Sequence, residues 1–194
     1  GKLGHKNLAA FLEKMKAIAI ANNKQVAHEL GINASVAITT VKPSGTVSQL
    51  VDCSSGIHPA HAKFYIRTVR ADNKDPLCTF MKEMGVPNEP CVSKPNDMTV
   101  FSFPIEVSKE AIFREDLTAL EHLEIVKIYN DHWAEHSVSV TINVRDDEWP
   151  EVSGWVYRNF DSVTGISFLP YADHIYMQAP YQECSEQEYR ELMA

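Results

Sequence analysis

Directly after a short apolar segment stands Lys42-Pro43-Ser44-Gly45-Thr46-Val47-Ser48-Gln49-Leu50. Small hydroxyl residues around a glycine, at the carboxyl end of a buried strand and the opening of a helix, are what an anion site requires. Backbone N–H groups at a helix start point outward unpaired, Gly45 lets a phosphate approach the main chain, and the hydroxyls of Ser44, Thr46 and Ser48 can donate as well. Pro43, Ser44, Gly45, Thr46, Val47 and Ser48 are therefore the candidate substrate-binding residues. The same residues also suit an ordinary strand-to-helix turn capped by Ser or Thr. The segment is not a P-loop, because it lacks G-x-x-x-x-G-K-[ST].

A second segment follows closely: Ser54-Ser55-Gly56-Ile57-His58-Pro59-Ala60-His61. Pro59 between the histidines and Gly56 before them read as a shaped loop rather than a metal-binding helix face, with no acidic third ligand nearby. Ser55, Gly56, Ile57 and His58 are candidates for lining the same cavity as residues 43–48. His132-Trp133-Ala134-Glu135-His136 fits H-x-x-E-H, which needs both histidines on one helical face. A strand is expected from Ser137, so the helix must end inside the motif, and no metal is expected. The run Arg145-Asp146-Asp147-Glu148-Trp149-Pro150 reads as an acidic turn before a helix.

The elements that must position these residues follow from periodicity. Leu8, Phe11, Leu12, Met15, Ile18 and Ala19 recur at helical spacing, which predicts an amphipathic helix over residues 7–22. A shorter helix over 24–30 is stopped by Gly31. Residues 34–41 (A-S-V-A-I-T-T-V) have no polar face and predict a strand covered on both sides, central in a parallel sheet. Strands are also expected over 64–70, 98–107, 137–144 and 165–169, and helices over 76–84, 117–133, 149–159 and 185–193, with a proline-bearing loop over 85–96. This alternation predicts an α/β fold with parallel strands in a single domain over residues 1–194.

The chain has 194 residues, with 26 acidic against 18 basic side chains, a net charge of −8 and 44% hydrophobic content. That apolar fraction is enough for a packed core. The negative balance argues against nucleic acid as a partner. No run approaches the length of a membrane span and no secretory leader is evident, so a cytoplasmic protein is expected. Cys53, Cys78, Cys91 and Cys184 lack C-x-x-C spacing and are expected to be reduced thiols.

K-P-S-G-T-V-S-Q-L, then S-S-G-I-H-P, then F-Y-I-R-T-V-R (residues 64–70) resemble the adenosylcobalamin-dependent, class II ribonucleotide reductases, in particular the monomeric ribonucleoside-triphosphate reductase type. F-S-F-P-I (101–105), S-V-T-I-N-V (139–144), G-I-S-F-L-P (165–170) and Q-A-P-Y (178–181) follow in the same order. The resemblance implies a fold in which ten strands form an α/β barrel around a finger loop, this chain being similar to the second half. It implies that the loop matching residues 44–48 holds the substrate's phosphates. Family chemistry is reduction of the ribose 2′-hydroxyl, initiated by a cysteine thiyl radical that homolysis of the cobalt–carbon bond of adenosylcobalamin generates, with two further cysteines supplying the reducing electrons.

One departure bears on activity. The family's finger loop carries N-x-C-x-E upstream of the phosphate loop, and no such element precedes Lys42. Gln182-Glu183-Cys184-Ser185-Glu186 has the C-x-E spacing but follows Q-A-P-Y at the start of a helix, so Cys184 is read as incidental. Cys53, Cys78 and Cys91 are assigned no catalytic role. The expectation is a reductase portion that contributes the phosphate loop to a ribonucleotide substrate, is inactive alone, and associates with the barrel's other half or with itself. The alternative is a stand-alone nucleotide- or phosphate-binding module without redox activity.

Overall fold

A computed structural model describes residues 5–171 and 177–193. In chain order the elements are α1 (His5–Leu30), α2 (Val47–Leu50), β1 (Phe64–Asp72), α3 (Pro76–Glu83), β2 (Asn88–Pro90), β3 (Met98–Glu106), α4 (Ala119–His132), β4 (Thr141–Val144), α5 (Trp149–Arg158), β5 (Ser167–Pro170), β6 (Tyr181–Glu183) and α6 (Glu186–Met193). Short 3-10 turns precede α4 and follow α5. The chain forms two compact units, one from residues 5–59 and 114–171, the other from 60–113 and 177–193.

In the first unit the two helices expected over 7–22 and 24–30 are one continuous α1. It ends as anticipated at Gly31, whose φ of +66° closes the last turn while Ile32 N–H reaches back to the Ala27 carbonyl at 3.0 Å. α4 starts with a full capping box, the Thr118 hydroxyl accepting from the Glu121 N–H and the Glu121 carboxylate accepting from the Thr118 N–H. β4 pairs in parallel with β5, from Thr141 opposite Ser167 to Val144 opposite Pro170, and α5 makes the crossover. Ile142 and Val144 are fully buried against Leu123 and Val126 of α4 and Val152 and Trp155 of α5.

The central strand expected over 34–41 does not form. Val36 is completely exposed, and only Val41 enters β-pairing, through a single parallel bridge to Val138. The reason is competition for backbone groups. The Glu135 carboxylate takes the N–H groups of Ile38 at 2.6 Å and Thr39 at 3.3 Å, while the Thr39 carbonyl accepts from the N–H groups of Glu135 and His136. A β-branched sequence fits a strand only where neighbouring strands take its ladder bonds, and here the segment that follows α4 has taken them.

The second unit corrects the expectation of parallel strands. Its sheet, in the order β2-β3-β1-β6, is antiparallel throughout, with Phe64 opposite Glu106 and Asp72 opposite Met98. Where the end of β1 meets the start of β3, the Asn73 Oδ1 accepts from the Thr99 hydroxyl at 2.6 Å and its Nδ2 donates to the Asn96 carbonyl. Val100 and Phe101 are fully buried in this unit. β2 and β6, three residues each, were not anticipated; β6 pairs with β1, from Arg67 opposite Tyr181 to Tyr65 opposite Glu183, and β2 is held in place by Gln178. Its side chain donates to the Glu89 carboxylate and the Pro90 carbonyl and accepts from the Val92 N–H.

Candidate phosphate-binding loop

The loop is built in the first unit. After Val41 the chain turns outward, and Lys42 is tied back by its Nζ, which donates to the Ser139 hydroxyl at 2.6 Å. The Ser44 Oγ then accepts from the Ser48 N–H at 2.7 Å, and the Ser48 hydroxyl donates to the Ser44 carbonyl at 3.3 Å. These two serines therefore spend their hydroxyls on closing the loop, a modification of the expectation that both would face a ligand. Among the described residues, no acceptor is within bonding distance of the N–H groups of Gly45, Thr46 and Val47. All three residues are exposed, and the Thr46 hydroxyl makes no cap bond to α2. Three successive donors without partners, held by a short closed turn, are suited to an anion supplied from outside.

The S-S-G-I-H-P segment braces this turn from below. The Ser55 hydroxyl donates to the Ser44 carbonyl at 2.8 Å. Gly56 adopts a φ of +59°, and a Cβ there would lie 3.4 Å from the Pro43 Cα and 3.5 Å from the Lys42 carbonyl oxygen, so a side chain would be both conformationally strained and crowded against the loop. His58 accepts from the Thr141 N–H through Nε2 at 3.0 Å, which leaves the proton on Nδ1, donating to the Ser55 carbonyl at 2.9 Å. The half-buried Ile57 offers its carbonyl to His122 Nε2 at 3.0 Å. Burial holds the His122 imidazole down at about 4, so it is neutral.

His122 escaped the sequence reading because it belongs to no motif. Its signal was positional: it occupies the buried stripe of α4 with Ala119, Leu123 and Val126, where a polar side chain needs a partner.

The remaining candidates separate from this loop. α4 ends at His132, whose Nδ1 meets the Glu13 carboxylate at 2.7 Å, while His136 lies beyond the helix. Glu135 is held low by the N–H of Ile38, so its carboxylate is spent on backbone amides. Glu148, from the acidic run, likewise accepts from the N–H groups of Ala119 and Arg145. His61 belongs to the second unit, against Tyr65 and Tyr181. All four cysteines are free thiols. Burial, then the carboxylates of Glu188 and Glu183, push the Cys184 thiol up, away from reactivity. Cys91 is fully buried, yet its thiol is lowered to about 7, chiefly by the Ser93 hydroxyl 3.3 Å away.

No protein-family model matches the chain. Among curated proteins it is 30% identical over 188 residues to the adenosylcobalamin-dependent ribonucleoside-triphosphate reductase of Lactobacillus acidophilus, covering 95% of this chain and 25% of that protein. The corresponding reductase of Euglena gracilis is 29% identical over 196 residues, covering 98% of this chain and 26% of the relative. A crystal structure of a B12-dependent (class II) ribonucleotide reductase matches with a TM-score of 0.83 at 25% identity, over 97% of this chain and 27% of the other. The chain thus spans about a quarter of the length of the relatives it matches. It is a homologue, over nearly its whole length, of one segment of the adenosylcobalamin-dependent ribonucleoside-triphosphate reductases, and its fold matches about a quarter of a class II reductase.

Proposed function

We propose that this chain forms part of the second half of a ribonucleotide reductase barrel and grips the phosphates of a ribonucleotide through the N–H groups of Gly45, Thr46 and Val47. The observation that carries the reading is the run of three unpartnered amides in a braced loop, within a chain whose relatives act as ribonucleoside-triphosphate reductases. The parallel pairing of β4 with β5, extended by the Val41–Val138 bridge, supports the barrel geometry. Ser55, Gly56, Ile57 and His58 shape the loop from behind, and their carbonyl and hydroxyl bonds serve the scaffold.

Adenosylcobalamin would supply the radical to the complete enzyme by cobalt–carbon homolysis. The thiols described here do not suit the receiving role. Cys78 and Cys91 are buried in the second unit, Cys184 is raised beside two carboxylates, and Cys53 is an exposed turn residue with no N-x-C-x-E around it. We therefore assign the cofactor and the radical cysteine to the region equivalent to the other three quarters of the relatives. Exposed Phe11 and Ile18 on α1, with Val36, are apolar surface that such association would cover. No helix among the described residues is long and apolar enough to cross a membrane.

The test is reconstitution. The chain alone, given adenosylcobalamin, a dithiol and ribonucleoside triphosphates, should yield no deoxynucleotide, and a partner carrying the finger loop should restore turnover. Turnover by the chain alone that disappears in Cys184→Ala would overturn the assignment.

A further inference from the structure

We infer that His122 is a positioning residue for the phosphate loop, acting through Ile57 and Ser55 on the amides of Gly45, Thr46 and Val47. The inference rests on the reading that those amides receive phosphate. His122 is only 3% exposed and projects from α4, whose neighbouring Leu123 and Val126 are locked in the core of the first unit. Its Nε2 donates to the Ile57 carbonyl at 3.0 Å. One residue further, His58 joins the Ser55 carbonyl to the Thr141 N–H, so the turn over residues 55–58 is strapped to α4 on one side and to β4 on the other. The two imidazoles meet edge to face with centroids 6.1 Å apart. From that strapped turn the Ser55 hydroxyl reaches the Ser44 carbonyl, and Ser44 in turn holds the Ser48 N–H.

A leucine at position 122 would fill the core without the cost of burying an imidazole. The polar side chain makes sense as a fixed donor, because Ile57 presents its carbonyl toward α4 and would otherwise lack that partner. An anion loop gains affinity when its amides are held in place before the ligand arrives, since the ordering cost has then been met by the fold. Losing one buried hydrogen bond of this kind corresponds to roughly tenfold in an equilibrium constant.

The experiment compares wild type, His122→Leu, His122→Gln and Ser55→Ala in the 194-residue chain, by amide hydrogen exchange and by NMR titration with inorganic tripolyphosphate. In His122→Leu, protection of the Ser48 and Thr141 amides and tripolyphosphate affinity read at Gly45, Thr46 and Val47 should each fall about tenfold. His122→Gln, whose side-chain amide can still donate to Ile57, should recover most of both. Unchanged exchange in folded His122→Leu, or a glutamine variant no better than leucine, overturns the inference. If His122→Leu does not fold, Ser55→Ala, which leaves α4 untouched, must show the loss of affinity or the inference fails. If wild type shows no tripolyphosphate shifts, the phosphate reading falls, and the exchange data alone decide whether His122 holds the loop.

Discussion

The Ser55 hydroxyl donates to the Ser44 carbonyl at 2.8 Å, across eleven residues of chain, and so joins the first two of the motifs that carry the family resemblance into one device. The second motif holds the first in shape. The consequences are specific.

Gly45→Val should weaken binding of tripolyphosphate or a ribonucleoside triphosphate by at least about tenfold while leaving the melting temperature unchanged. A Cβ at Gly45 meets nothing within 4 Å, so the fold accommodates it, whereas a branched side chain stands where the phosphate must approach the backbone. His132→Ala, remote in its bonding from the loop, should bind normally. Calorimetric titration of both variants checks this, and the reverse order of effects would refute the site.

Gly56→Ala should destabilise the first unit by about 1–2 kcal/mol, the cost of a left-handed backbone for a residue with a Cβ. The crowding against Pro43 should also displace the loop, so phosphate affinity should drop with stability. Thermal denaturation combined with titration measures the two effects together.

The neutral His122 makes stability depend on pH. In the unfolded chain a histidine takes up a proton near 6.5, but burial keeps the folded group neutral down to about 4. The unfolded state therefore binds more protons between these values. The contribution is fully present above 6.5 and is lost as pH falls toward 4, by up to about 3 kcal/mol. Urea unfolding across this range should show the decline, and His122→Gln should flatten it.

Gln178→Leu should destabilise the antiparallel sheet by about 1–3 kcal/mol, because the Val92 N–H and the Pro90 carbonyl lose their buried partner. Hydrogen exchange should report loosening at β2, with β4 and β5 unaffected.

The sequence by itself determined most of the helices and the long strands, because their signals are local. The stop at Gly31 and the run of alternating apolar residues into Ile142 and Val144 need no distant partner to be read. It also pointed to the family, through motifs in a fixed order, and it singled out Ser44, Gly45 and Thr46 as the loop we propose for phosphate. Strand direction was decided only by the tertiary structure. The segment expected as the central strand gave its backbone bonds to Glu135, nearly a hundred residues away, and β1 paired antiparallel with both β3 and β6. Hydrogen bonds between distant residues have no period in the sequence. For the same reason the bracing of Ser44 by Ser55, and of Ile57 by His122, became visible only when α4 and β4 were folded against the loop.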